Sequence, residues 1–231
     1  MISESLLRYM NEMLRQTPMS FFRYAYESFP WESQLSGLVG PRGIGKSTML
    51  RQYILRHRDE GKFLYVSADH TYFSNHSLAA LADDFVVEGG THLVIDEIHK
   101  YKGWSRELKQ IYDIYPKLRV TFSGSSVLDI LKGEADLSRR AVVMTMQGLS
   151  FREYLEFDHH IVMPCLDLEQ ILSHTLVIEP DFHPMPYFRD YLSSGYYPFH
   201  NIDNFDVRMQ QVVSQLSLIH ISEPTRRRGI S

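Results

Sequence analysis

The chain has 231 residues and a formal net charge of −4, with 44% hydrophobic and 23% charged residues. Such a composition excludes collagen-like, low-complexity and wholly disordered chains, and the acidic balance argues against a globally basic nucleic-acid binder. The single cysteine, Cys165, excludes an intrachain disulfide framework and a cysteine-rich zinc site, and is read as a small core residue.

The N-terminus has no basic region followed by an apolar run, so no signal peptide is expected. No stretch approaches the roughly 18 apolar residues that a spanning helix needs, so the expected compartment is the cytosol, without a membrane partner. Apolar positions at Leu6, Leu7, Met10, Met13 and Leu14 predict a helix. The aromatic segment from Phe21 to Trp31 is read as docking onto the sheet, with stacking on a base as the alternative. A short apolar run, 35–39, stops at Gly40. Met49, Leu50, Tyr53 and Ile54 recur at helical spacing, and Gly61 stands where a C-terminal cap is expected. Residues 63–67 read as a buried strand, and 78–87 as a helix ended by Gly89-Gly90. A second buried strand, 92–95, runs into Asp96-Glu97. Trp104, Leu108, Ile111, Tyr112 and Tyr115 line one face of the next helix. Residues 118–122 form a strand that enters Ser123-Gly124-Ser125-Ser126; a helix over 127–137 and a strand over 141–144 follow. Ser150 and Glu153 form a capping box for a helix that begins at Phe151. Strands alternating with helices predict an α/β fold with a mainly parallel sheet covered on both faces. The alternation stops near residue 158; 159–164 reads as a linker, and the rest as helical.

Two motifs carry chemistry. Gly40-Pro41-Arg42-Gly43-Ile44-Gly45-Lys46-Ser47, followed by Thr48, satisfies G-x-x-x-x-G-K-S/T between a predicted strand and a predicted helix. Glycines let the backbone curl so that successive N–H groups point at phosphates. The helix that follows adds its positive end. Lys46 then supplies a charge to the β- and γ-phosphates, and Ser47 a hydroxyl for Mg²⁺. The second motif is Asp96-Glu97 at the C-terminal end of a predicted parallel strand, where ligands bind in such sheets. Asp96 is expected to hold Mg²⁺ through water and Glu97 to act as general base toward an attacking water.

With these residues in hand, the sequence resembles the AAA+ superfamily, and within it the prokaryotic AAA-type ATPases that carry a poorly characterised C-terminal domain. The resemblance rests on Gly40 to Thr48, Leu93-Val94-Ile95-Asp96-Glu97-Ile98-His99-Lys100, Ser123-Gly124-Ser125-Ser126 and Gly148-Leu149-Ser150-Phe151-Arg152-Glu153-Tyr154-Leu155. It implies an αβα sandwich followed by a helical lid. It also implies ATP and Mg²⁺ as ligands, adenine over guanine, and a polar side chain after the 118–122 strand that reads the γ-phosphate. Ser125 is the choice there, with Ser123 close behind. It implies further that Arg139 or Arg140 is an arginine finger reaching a neighbouring copy, so that Arg140 acts in a homo-oligomer; a solvated pair at a helix end is the open alternative. A second arginine sensor is expected in the lid, with Arg189 and Arg208 as candidates and Gly195 and Pro198 as lid markers.

The expected organisation is an N-terminal helix and aromatic linker over 1–30, an ATPase core over 31–158 and a partial helical lid over 159–215. Residues 216–231 resemble a translated sequencing adapter, so native sequence is expected to stop near Gln215. The eleven histidines show no helical ligand pair, and no metal other than Mg²⁺ is expected. Lys100, Lys102, Arg106 and Lys109 read as a solvated helix face, and nucleic acid is not indicated. The functional expectation is an ATPase that drives conformational change in an unknown protein client. A slow nucleotide-gated switch acting through a missing C-terminal domain, and a DNA-handling ATPase, stay open.

Overall fold

The architecture comes from a computed structural model that describes residues 1–125, 139–173, 182–200, 203–207 and 209–210. Five strands, β1 (Leu35–Val39), β2 (Phe63–Ser67), β3 (His92–Asp96), β4 (Arg119–Gly124) and β5 (Val142–Thr145), form one sheet in the order β2-β3-β4-β1-β5. Every pairing is parallel. The first four strands are short apolar runs buried on both faces, as parallel strands under crossover helices must be. β5, at the edge, is largely exposed.

Successive side chains alternate between the faces, and the burial follows that period. Leu35, Val39, Leu64, Val66, Leu93, Ile95, Val120 and Phe122 share one core with α4 (Leu78–Val87) and α5 (Trp104–Ile114). Leu38, Tyr65 and Val94 share the other with Met49, Leu50, Tyr53 and Ile54 of α3 (Lys46–His57). The N-terminal helix α1 (Glu4–Arg15) is capped by the Ser3 hydroxyl and packs beside β2 and α3. The aromatic segment docks, as expected. Tyr26, in the short helix α2 (Ala25–Ser28), and Phe29 are buried, and Trp31 stacks on Tyr53 with ring centroids 3.9 Å apart.

α6 (Phe151–His159) starts at the expected capping box, with the Ser150 side chain and Glu153 each bonding the other's backbone N–H. Beyond it stand the short helices α7 (Leu168–Leu172) and α8 (Pro184–Asp190) and a π-helical turn, Tyr191–Gly195. Of the basic stretch read as a solvated helix face, Lys100, Lys102 and Arg106 are exposed, whereas Lys109 is half-buried, and Lys100 and Lys102 precede α5.

Two expectations fail. Gly61 does not cap α3: the helix ends at His57 and passes through Arg58 in right-handed backbone, and Gly61 is not among the left-handed glycines. Its small size serves packing instead, because a Cβ there would lie 2.4 Å from the Thr91 hydroxyl. Cys165 is exposed and not in the core. The predicted helix over 127–137, Ser126, Arg208 and the tail over 216–231 lie outside the described residues.

Candidate functional site

β1 ends at Val39, and the chain turns at once into the glycine-rich loop. Gly40, Gly43 and Gly45 take φ of 149°, 83° and 97°, backbone that side chains rarely adopt. At Gly40 the need is also steric, since a Cβ would meet the Met146 carbonyl at 2.2 Å. Gly45 is the N-terminal cap position of α3, so the loop feeds the first turn of a 12-residue helix that holds Lys46, Ser47 and Thr48. A run of this kind presents N–H groups and a helix N-terminus to one place, which is an anion site. Lys46 is buried, and its ammonium donates to the carbonyls of Gly40 (2.9 Å) and Pro41 (2.7 Å). Burial holds its pKa below the ordinary lysine value, against the opposing charges of Asp96 and Glu97.

The acidic pair stands two strands from the loop strand. β4 lies between β3 and β1, with Ile95 opposite Phe122 and Ser123 opposite Leu38. Two strand spacings set Asp96 roughly 10 Å from the β1 axis. Asp96 is buried and well held. Its Oδ2 accepts from the Tyr65 hydroxyl at 2.6 Å, and its Oδ1 accepts from the Ser123 hydroxyl and from the Glu97 N–H. Burial, and then the neighbouring carboxylate, push the Tyr65 pKa well up, so this hydroxyl stays a donor. Glu97 takes φ 53° and ψ 41°, left-handed backbone that is costly outside glycine. Its N–H also donates to Ser123 Oγ at 3.1 Å.

Ser123 and Ser125 therefore part company. Ser123 serves Asp96, whereas Ser125 Oγ lies 3.1 Å from His99 Nε2, and the same nitrogen lies 3.2 Å from Glu97 Oε2. The sequence reading assigned no role to His99; its place two residues after Glu97, on a one-turn 3₁₀ helix, was the available signal.

Arg23 was missed altogether. It is buried behind the loop, donating to the carbonyls of Ile44 (2.5 Å), Gln147 (2.9 Å) and Gly148 (2.7 Å) and to Glu153 Oε1 (2.8 Å). It thus joins the phosphate loop to the turn after β5 and to the cap of α6. Its isolation within an aromatic run was the only sequence hint. A cleft of about 370 Å³ opens beside it, walled by Tyr24, Met146, Gln147, Leu149, Tyr191 and Tyr196 among others.

The segment beyond α8 folds back over this region. The Leu149 N–H donates to the Tyr196 carbonyl, and the Tyr191 hydroxyl donates to the Leu149 carbonyl, each at 2.8 Å. Phe199 lies against Gly43, so close that a Cβ on that glycine would meet its ring at 2.5 Å. The markers Gly195 and Pro198 fall in this segment. Arg189 is exposed on α8. Arg140 does not join the site. It precedes β5, which runs parallel to β1 beside it, so it stands at the opposite, N-terminal end of the strands, roughly 20 Å from the loop. There its guanidinium meets Asp113 at 3.0 and 3.3 Å. Among the described residues no group of three or more histidine, cysteine or acidic side chains is placed to hold a metal, and no helix is long and apolar enough to cross a membrane.

A parallel sheet with an anion loop after one strand and a carboxylate pair after another defines a P-loop nucleotide-binding protein. A family model described as an AAA domain matches residues 32–155, more than half of the chain, and the chain belongs to that family. It is 32% identical over 155 residues to the uncharacterized protein MJ1637 of Methanocaldococcus jannaschii; the match takes in 63% of this chain and 32% of that one, so the chain spans about a third of that relative's length. Among solved structures it is similar to a replication initiator DnaA bound to AMPPCP and single-stranded DNA (14% identity, 96% of this chain and 63% of that one, TM-score 0.45). It is also similar to PCH-2 of C. elegans (15% identity, 95% and 62%, TM-score 0.42).

Proposed function

We propose that this AAA-type nucleotide-binding domain binds Mg·ATP and hydrolyses it by in-line attack of water. The observation that carries the reading is the convergence of the Gly40–Ser47 loop with Asp96 and Glu97 across β4, in a site where Lys46 and Asp96 are both buried. The loop N–H groups, the start of α3 and Lys46 would hold the phosphates. The donor set fits Mg²⁺: a hard cation takes oxygen ligands and keeps waters, needing one or two protein groups beside the phosphates. Asp96, oriented by Tyr65 and Ser123, and the Ser47 hydroxyl supply such oxygens. The ion would neutralise charge on the β- and γ-phosphates. Glu97 would take the proton of the attacking water, and Ser125 would face the γ-phosphate. The base would enter the cleft beside Arg23, whose volume suits a heterocycle.

Binding of a fluorescent ATP analogue, with and without Mg²⁺, tests the first half of the reading. The parent should bind, and Lys46→Ala should lose at least tenfold in affinity. Asp96→Asn should lose the gain that Mg²⁺ provides. Equal affinity in the parent and in both variants would reject this site.

A further inference from the structure

We infer that His99 is a positioning residue that couples Ser125 to Glu97: a single ring nitrogen serves both side chains, and the partner that Ser125 chooses decides whether Glu97 is held. This deepens the reading above and rests on Glu97 being the base. His99 Nε2 lies 3.1 Å from Ser125 Oγ and 3.2 Å from Glu97 Oε2. Its side chain is 16% exposed, against 25% for Glu97, so both groups are largely shielded from solvent. An imidazole nitrogen either carries a proton and donates or carries a lone pair and accepts. It cannot accept from the Ser125 hydroxyl and donate to the Glu97 carboxylate at the same time.

Two arrangements follow. With Ser125 donating to Nε2, the Glu97 carboxylate has no donor from His99. With the Ser125 proton turned toward a γ-phosphate, the ring takes its other tautomer, the proton leaving Nδ1 and appearing on Nε2, which then donates to Glu97 and holds it in one rotamer. The local backbone favours such a device. Glu97 is fixed in left-handed backbone, and its N–H is tied to Asp96 and Ser123. His99 follows on a single 3₁₀ turn whose Lys100 N–H returns to the Glu97 carbonyl at 2.9 Å. The distance between the Glu97 and His99 side chains is therefore set locally, while Ser125 follows the end of β4 and faces the proposed nucleotide side.

Two measurements test the coupling. In turnover assays, His99→Ala should lower kcat about ten- to hundredfold, less than the roughly 10² to 10⁴ expected for a whole general base, and leave ATP affinity within about twofold. His99→Gln, whose amide both donates and accepts, should regain most of the rate, and His99→Phe should not. The Ser125→Ala, His99→Ala double variant should be slower than His99→Ala by a smaller factor than Ser125→Ala is slower than the parent. Glu97→Gln is run beside them. If it turns over like the parent, the base assignment fails and the coupling with it; if it is inactive while His99→Ala matches the parent, the coupling alone fails.

The second measurement needs no turnover. In histidine-¹⁵N-labelled protein, with His99 assigned by its absence in His99→Gln, Nε2 should move from the acceptor to the donor range when a non-hydrolysable ATP analogue is added. In Ser125→Ala it should sit in the donor range without nucleotide. An Nε2 signal indifferent both to the analogue and to Ser125→Ala would overturn the inference.

Discussion

Arg23 and Glu153 show how a single buried pair can brace a loop from behind, with Arg23 donating to the Ile44 carbonyl of the glycine-rich loop. Their side chains are 8% and 6% exposed, with Nε 2.8 Å from Oε1. Burial alone would raise the Glu153 carboxyl. The Arg23 guanidinium and the N–H groups of Ser150 and Tyr24 outweigh it, so the net pKa is below the ordinary value. A carboxyl depressed in the folded state contributes stability that is present above its unfolded pKa and lost as pH falls through the folded one. The denaturation midpoint of the parent should therefore fall on acidification below about pH 4.5, and a Glu153→Gln variant should lack that part of the slope. Removing one partner strands a buried charge, a loss of about 3–5 kcal/mol. Urea unfolding of Arg23→Met should show a destabilisation of that order. A change under about 0.5 kcal/mol, the size of an ordinary surface substitution, would show that the pair does not hold the loop region together.

At the scale of elements, β4 decides the geometry. By inserting between β3 and β1 it sets Ser123 beside Asp96 and brings Ser125 to His99. Its Phe122 ring lies across Gly37 in β1, where a Cβ would meet it at 2.6 Å. Gly37→Ala should destabilise by about 1–3 kcal/mol through overpacking, read as a shift in the urea midpoint; an unchanged midpoint would show that β1 and β4 can move apart. Gly40→Ala should instead abolish nucleotide binding out of proportion to any stability loss, because it pushes on the Met146 carbonyl under the loop. These elements were unequally legible in the sequence. The strands, α3, the phosphate loop and the Asp96-Glu97 turn could be read because each rests on local apolar period or on glycine backbone chemistry. The strand order could not be read, since parallel pairing joins segments far apart in the chain. The same holds for Arg23 with Glu153, separated by 130 positions, and for Phe199 on Gly43. The Gly61 expectation failed because a glycine after a helix marks either a cap or a tight contact, and only the packing against Thr91 separates the two.

For the molecule as a whole, the N-terminal end of the sheet, opposite the phosphate loop, becomes relevant. Arg140 stands there, paired with Asp113 beside the Tyr112 ring, and is too far from its own loop to serve it. We propose that it acts on a neighbouring copy, exchanging Asp113 for that copy's nucleotide. Specific activity should then rise with protein concentration, and Arg140→Ala should flatten the curve; a flat curve in the parent would reject action between copies. At the other end, the turn at Tyr191–Gly195 and the segment through Phe199 lie over the 147–149 segment and the loop, and we propose that they act as a lid. The central claim, that this site hydrolyses ATP with Glu97 as base, is tested most directly by phosphate release from Mg·ATP in the parent and in Glu97→Gln, with ATP affinity measured on the same samples. The account predicts steady release by the parent and, for the variant, retained affinity with release at the no-enzyme background. Equal release from both proteins would contradict it.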